Sequence, residues 1–495
     1  MRRAKRRSYL FNWDGSDCLA LIKERPSEDD LLRQVFEPLE DSGVDTLVYM
    51  QGVGNFAEYR SKLLPLAGEA RDYRFNSVSS YKRYANAKHF LDNGMDPLAI
   101  VVRGARERKL DVFFSFRLND IHDHWPDCVD FLPRFKLEHP EWLHPKEYFP
   151  DFHGRTEITT ALDYSVKEVR DFRLRIIREV LENYEFDGLE LDFMRSPFYF
   201  HWDKGLGSAY MLTDFVSAVR DMLDEIGGRR GAYLELAVRV CTTVTGSGMA
   251  GFDVAAWAKR GYIDHVIAGT GGLNIDTRGY MELLQGTGVS FYPCLYGDYE
   301  RIASSDAVMR GTAELLLTDR PDGIYAFNIY PSGPHRRELV RQIGNLSALQ
   351  GLDKTYIVDL DYDYILTREE WRYSIHLPIT LGETERESLT IPVRAGEELA
   401  SRTVPEHAAI RLKVWIKDMT ADDVIRFRWN GGRLEEAGTE PVAEQFAQHW
   451  LTWELRPSMI RYVNELSIQL VERNKHLKSY APAIVQRVNL ELAYH

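Results

Sequence analysis

Two carboxylates stand two residues apart in Phe186-Asp-Gly-Leu-Glu190-Leu-Asp192-Phe-Met-Arg195, a segment that otherwise reads as a buried strand. Strand side chains alternate faces, so Leu189, Leu191 and Phe193 line one face and Glu190, Asp192 and Met194 the other. Carboxylates facing a core are costly unless they are paired or used. A parallel barrel offers a use, because the C-terminal ends of its strands form the active-site mouth. A buried ion-pair network that only fixes the strand is the competing reading. The second acid, with Arg195 just beyond it, favours a reactive cluster.

The same alternation picks out further inward-facing residues. They are Ser115, Arg117 and Asn119 on a third strand, Glu235, Ala237 and Arg239 on a fifth, and Tyr292, Cys294, Tyr296 and Asp298 on a seventh. Ala326, Asn328 and Tyr330 are expected on an eighth strand, with Asn12 and Asp14 on the first. Strands three, four and five are neighbours in a barrel, so Arg117 and Arg239 would flank Glu190 and Asp192. Glycoside hydrolysis needs this kind of mouth: one carboxyl group protonates the leaving oxygen, and another acts as nucleophile or as base for water. A nearby Arg favours an ionised carboxylate and burial a protonated one, which lets neighbours divide the roles.

The expected catalytic residues are Asp192 first, Glu190 supporting it or sharing the role, and Asp298 as partner. Arg117, Asn119, His122, Arg195, Arg239 and Tyr296 are expected to bind substrate. The two arginines suggest an acidic or heavily hydroxylated glycan. Asp192 lies nearer the strand end than Glu190, so Asp192→Asn is expected to stop turnover and leave the fold unchanged. A non-catalytic glycan-binding barrel is one alternative. A lyase acting on uronate-containing glycans, with an Arg neutralising the acid and a Tyr or His as base, is another. The spacing of His122 and His124 is compatible with a metal, but no convergent third ligand is evident. No metal and no other cofactor is expected.

Eight candidate strands would position these residues: Tyr9–Trp13, Val44–Met50, Asp111–Arg117, Asp187–Phe193, Tyr233–Val240, Ile263–Ala268, Val289–Tyr296 and Gly323–Tyr330. Helical patterns lie between them. Ser165-Val-Lys-Glu168 reads as a capping box ahead of Val169, Phe172, Ile176, Ile177 and Val180 at helical spacing. Ser27-Glu-Asp-Asp30 opens another helix, ending at Gly43. Asp253–Lys259 and Ser305–Leu317 supply further crossovers. Strand–helix alternation of this kind is the (β/α)8 TIM barrel pattern. No glycine-rich nucleotide loop follows the first strand, which weakens a doubly wound sheet. Two long connections, Gln51 to about Asp96 and Leu118 to Tyr164, would lie over the mouth, and loops this long are usually functional.

After about Asp353 the helical crossovers stop. Short alternating runs follow at Tyr373–Leu377, Leu389–Val393, Ile410–Ile416, Val424–Trp429, Leu451–Leu455, Glu465–Val471 and Val488–Tyr494, with a turn signal at Asn430-Gly-Gly432. This reads as a C-terminal antiparallel β-sandwich. The expected division is a catalytic barrel over 1–352 and an accessory or carbohydrate-binding-like sandwich over 353–495.

At 495 residues and 44% hydrophobic, the chain can bury two such cores. A net charge of −13, with no long basic run after the first few residues, argues against nucleic acid as a partner. Neither a signal peptide nor a membrane-spanning segment is read, so no membrane partner is expected, and a cytoplasmic location is expected unless a leader has been removed. The four cysteines, Cys18, Cys128, Cys241 and Cys294, are scattered without metal-type spacing and are expected to be unpaired. Nothing in the sequence sets the oligomeric state.

The motifs Arg117-Leu-Asn-Asp120-Ile-His122, His139-Pro-Glu-Trp142-Leu, Ala161-Leu-Asp163-Tyr-Ser-Val-Lys-Glu-Val-Arg170 and Tyr184-Glu-Phe-Asp187-Gly-Leu-Glu-Leu-Asp192-Phe-Met-Arg195 carry a family resemblance. In order and spacing, over roughly residues 9 to 335, the chain resembles a bacterial group described as family-10-like glycosyl hydrolases, which are (β/α)8 barrels. That resemblance implies polysaccharide hydrolysis, although a fold does not fix an activity. The strand-four segment also looks like the chitinase motif, whose acid is a Glu two residues past the last Asp; here that position is Met194. In family-10 xylanases the catalytic Glu residues end strands four and seven, whereas strand seven here offers Asp298 and Glu300.

Overall fold

The chain forms an eight-stranded parallel barrel followed by two antiparallel sheets. This computed structural model describes residues 4–124, 126–145, 160–194, 196–201, 204–269, 275–297, 305–329, 334–359, 377–382, 388–397, 399, 409–443, 445–478 and 481–494. The barrel strands are β1 (Tyr9–Asp14), β2 (Thr46–Met50), β3 (Asp111–Arg117), β4 (Gly188–Asp192), β5 (Glu235–Val240), β6 (His265–Ala268), β7 (Ser290–Tyr296) and β8 (Ile324–Phe327). They close in sequence order, with β8 pairing back onto β1. The eight strands expected from hydrophobic alternation are these eight.

The helices follow from capping chemistry and apolar stripes. They are α1 (Gly15–Leu21), α2 (Glu28–Phe36), α3 (Val78–Asp92), α4 (Pro97–Glu107), α5 (Arg134–Glu138), α6 (Lys167–Asn183), α7 (Gly205–Arg230), α8 (Val244–Ala250), α9 (Val254–Lys259), α10 (Thr277–Leu284), α11 (Asp306–Thr318) and α12 (Pro334–Ile343). Ser27 and Asp30 form a reciprocal capping box at the start of α2. That helix stops at Phe36 rather than Gly43, and a 3-10 turn containing Pro38 follows it. The capping box expected at Ser165 does not form. The Asp163 carboxylate accepts from the Ser165 backbone N–H instead, and α6 begins at Lys167 without a side-chain cap. Asp96 caps α4 through the N–H groups of Leu98 and Ala99. Gly104 lets α4 approach α2, since a Cβ there would lie 2.5 Å from Leu32 Cδ2 and 2.6 Å from Phe36.

Charge fills the lower end of the barrel. Arg7 donates to Asp111 at 2.5 Å, Glu235 at 2.7 Å and Thr46 at 2.8 Å, and stacks over Phe113. His265 Nε2 lies 2.5 Å from the other Glu235 oxygen. Glu235 thus shares a face with Arg239 but works at the opposite end, as part of a plug that fixes the strand ends.

Residues 354–493 supply β9 (Lys354–Val358), β10 (Ile379–Thr380), β11 (Leu389–Arg394), β12 (Ala409–Lys417), β13 (Val424–Trp429), β14 (Gly432–Arg433), β15 (Gly438–Pro441), β16 (His449–Leu455), β17 (Val463–Glu472) and β18 (Ile484–Ala493). One sheet runs β10-β18-β12-β16-β15, with β9 also on β18, and the other runs β11-β17-β13-β14. Alternate residues of β12, β16, β17 and β18 point into a shared apolar core that includes Leu412, Val414, Leu466, Ile468, Val488 and Leu490. Most of the expected strand Tyr373–Leu377 lies outside the described residues. Cys18, Cys241 and Cys294 are buried thiols. Among the described residues, no helix is long and apolar enough to cross a membrane.

Candidate active site at the barrel mouth

Register brings the polar residues together. Asp192 on β4 lies beside Arg117 of β3 and Arg239 of β5, and Glu190 beside Ser115 and Ala237. Arg239 clamps Asp192 with two bonds, Nε to Oδ1 at 2.9 Å and a terminal nitrogen to Oδ2 at 2.6 Å. The Met194 N–H also donates to Oδ1, at 3.0 Å. Both side chains of the pair are buried. A bidentate guanidinium–carboxylate pair is the strong form of this contact. Burial alone would depress the Arg239 guanidinium, but the Asp192 carboxylate overrides it and holds its pKa above the ordinary arginine value.

Arg117 is a hub. Its terminal nitrogens lie 3.1 Å from Asp14 and 3.5 Å from Asp120, and its Nε is 3.9 Å from Asp192. Asp14 caps α1 through the Asp17 N–H, and its side chain is 10% exposed against 1% for Asp192. Asp120 is fully buried and holds His122: both of its oxygens are 2.8 Å from Nδ1, and Oδ1 also accepts from the His122 backbone N–H at 3.0 Å. The His122 side chain is 30% exposed. The loops that place Asp120 are pinned in turn. Its carbonyl accepts from Asn55 at 3.1 Å and from Lys136 at 3.0 Å, while buried Arg173 of α6 donates to the Gly54 carbonyl and, at 3.0 Å, to Asn55. Gly54 has φ +74°, and a Cβ there would collide with the Arg117 carbonyl oxygen, so the loop after β2 sits directly on the end of β3.

Glu190 lies one layer down. Ser115 donates to one of its oxygens at 2.5 Å, and the buried Tyr325 hydroxyl is its neighbour. Burial pushes the Glu190 carboxyl up to about 7, with Arg239 opposing and Asp192 reinforcing the shift. Near neutrality Glu190 is therefore partly protonated, one layer below the Asp192 that Arg239 clamps.

Several expectations change. On β8 the lumen residues are Tyr325 and Phe327, not Ala326: Phe327 stacks on Tyr296 at 5.6 Å, and Arg239 lies 3.9 Å over its ring. Register explains this, since Tyr325 and Phe327 pair with the inward-facing Cys294 and Tyr296 of β7. The Asn119 side chain, expected to bind substrate, is bonded to backbone groups. Its amide donates to the Leu162 and Phe198 carbonyls at 3.2 and 2.8 Å and accepts from the Leu162 N–H at 2.8 Å, tying two loops together. Arg117 and Arg239 do not present open guanidinium groups, because each is held by buried carboxylates. Asp298, Glu300, Arg195 and Tyr330 lie outside the described residues. Asp14 was expected to face inward but without a role, and Asp120, Tyr325 and Phe327 are absent from the expected site set. Asp120 had a signal in the sequence, standing two residues before His122 at the end of a strand. Among the described residues, no group of three or more His, Cys, Asp and Glu side chains is arranged to hold a metal ion.

No family model matches the sequence, and no curated protein matches it. Among solved structures, it is similar at a TM-score of 0.39 to an alpha-amylase from Lactobacillus plantarum, with 12% identity over 94% of this chain and 99% of that one. A GH36 alpha-galactosidase from Geobacillus stearothermophilus gives a TM-score of 0.37, with 13% identity over 99% of this chain and 56% of that one. A cycloisomaltooligosaccharide glucanotransferase from Paenibacillus sp. gives 0.35, with 10% identity over 98% and 57%. The chain spans little more than half the length of the last two. At this level of likeness the family-10-like resemblance stands as a resemblance, and the assignment of a chemistry rests on the mouth itself.

Proposed function

We propose that the chain is a glycoside hydrolase whose central carboxylate is Asp192. The observation that carries the reading is the placement of Asp192: an acid at the C-terminal end of β4, clamped by Arg239, with Arg117 beside it and a partly protonated Glu190 below. A carboxylate held in two bonds by a guanidinium is one that can face the positive charge developing on a sugar ring. Glu190 supports it rather than touching substrate. Tyr296, stacked on the buried Phe327, is the aromatic ring we assign to a sugar face. Asp298 keeps its place as the candidate carboxylate from strand seven.

The substrate we favour is neutral. Among the described groups, Asp14, Asp120 and Asp192 outnumber Arg117 and Arg239, and both guanidinium groups already face carboxylates. Drawing either Arg to a uronate would leave an aspartate unpaired, which weakens both the anionic-glycan and the lyase readings. The test is incubation with a panel of neutral and uronate-bearing oligosaccharides, followed by chromatography. New reducing ends from a neutral glycan, lost in a folded Asp192→Asn, Arg239→Met double variant that removes the whole buried pair, support the reading. Products with unsaturated ends would replace it with a lyase.

A further inference from the structure

Hydrolysis of a glycosidic bond needs a proton donor as well as an anionic carboxylate. The described acids of the mouth suit the donor role poorly. Asp192 is clamped, Glu190 lies a layer deep, and Asp120 is fully buried with its oxygens on an imidazole. Asp14 is fixed by Arg117 and by the N-terminus of α1. His122 differs from all of them. Its side chain is the most exposed of the cluster at 30%, and its Nδ1 is fixed by Asp120. A carboxylate on Nδ1 sets the tautomer and aim of the ring, so that proton exchange runs through Nε2. Asp120 is itself immobile. Lys136 and Asn55 hold its carbonyl, Arg117 is 3.5 Å from its carboxylate, and Lys136 is paired with Asp123. The Arg117 guanidinium joins this dyad to Asp192.

We propose that His122 is the catalytic acid–base residue of this mouth and that Asp120 is its positioning residue, so that an imidazole does what a second carboxylate does in most glycosidases. This rests on the hydrolytic reading. The protonated His122 gives its Nε2 proton to the glycosidic oxygen as the bond from that oxygen to the sugar C1 breaks, and the electron pair of that bond stays with the departing alcohol. Asp192 faces the charge left on the ring. Water then adds its oxygen to C1 and returns one proton to His122, so the net reaction is glycoside plus water to sugar plus alcohol.

The experiment measures wild type, His122→Asn and Asp120→Asn on two substrates of the same sugar, a nitrophenyl glycoside and an oligosaccharide. A nitrophenolate leaves without a proton, whereas a sugar alcohol needs one. The expected result is a loss of about 10²–10⁴-fold in kcat on the oligosaccharide for His122→Asn and a much smaller loss on the nitrophenyl glycoside, with the melting temperature preserved. Asp120→Asn should lose more rate on the oligosaccharide than on the nitrophenyl glycoside, the same leaving-group bias as His122→Asn, because a positioning residue acts only through the imidazole. His122→Asn with wild-type rates and pH profile on both substrates overturns the proposal while leaving hydrolysis standing, as does an equal loss on both. A wild-type enzyme that releases nothing from any glycan overturns both.

Discussion

Replacing Asp192 tests chemistry and architecture together, and the structure separates the two. Arg239 is fully buried, and Asp192 is the carboxylate that clamps it. Asp192→Asn keeps an acceptor for Nε but turns an amide donor toward the second guanidinium nitrogen, or leaves that nitrogen with an oxygen and no charge. Breaking one side of a buried pair costs about 3–5 kcal/mol, or roughly 4–7 °C in melting temperature for a barrel of this size. The sequence-based expectation of an unchanged fold therefore gives way to a destabilised one. Loss of rate in this variant alone cannot identify a catalytic role. The double variant Asp192→Asn, Arg239→Met can, because it removes both charges and should recover most of the lost stability. Activity should stay down by at least about 10²-fold in the double variant as in the single. Rates on a neutral oligosaccharide, measured beside urea or thermal unfolding, complete the cycle. Recovery of activity along with stability would show that Asp192 serves only to hold Arg239, and its catalytic assignment would fall.

The Glu190 carboxyl, raised to about 7, should leave a pH signature. Its proton is bound more tightly in the folded state, so its contribution to stability is full below the unfolded value near 4.5 and is lost as pH rises through about 7. Glu190→Gln should therefore gain on wild type between about pH 4.5 and 7, by up to about 3 kcal/mol, and level off above; a pH-independent difference in denaturation midpoint would contradict this. Arg117→Lys should slow turnover of neutral and uronate-bearing glycans alike, because the guanidinium organises Asp14, Asp120 and Asp192; a loss confined to anionic substrates would restore Arg117 as a substrate clamp. Gly54→Ala should destabilise by about 2 kcal/mol or more through its positive φ and its collision with the Arg117 carbonyl, and unchanged melting would show that the loop yields. Asn119→Ala should lower the melting temperature with KM little affected beyond that, since its amide ties the Leu162 and Phe198 backbones; a KM effect without a stability effect would return it to the substrate.

The barrel strands were legible because each is a short apolar run bracketed by polar residues, and parity on β3, β4, β5 and β7 followed from polar residues that mark one face. Parity on β8 was not legible. Ile324, Tyr325, Ala326 and Phe327 are all apolar or aromatic, so neither face is marked, and only pairing with Cys294 and Tyr296 decides. The Arg117 hub was legible only in part. Its neighbours Asp192 and Arg239 sit in register on adjacent strands or one strand beyond, but Asp14 is two strands away on the other side. Arg117 reaches it past Met50 of β2, a contact that depends on barrel curvature rather than on any pattern along the chain. The Asp120–His122 contact is local, two residues apart at a strand end. The neighbouring His124 masks it, because a His-x-His spacing reads as metal ligation before it reads as a carboxylate holding an imidazole.

Product analysis tests the catalytic role of Asp192 most directly. The wild-type enzyme and the Asp192→Asn, Arg239→Met variant, matched for folding by circular dichroism, are each incubated with the same panel of neutral oligosaccharides, and reducing ends are counted over time. The expected result is release of new reducing ends by the wild type on at least one neutral glycan and none above background by the folded double variant. A double variant that cleaves the same glycan at a rate near wild type would contradict that role.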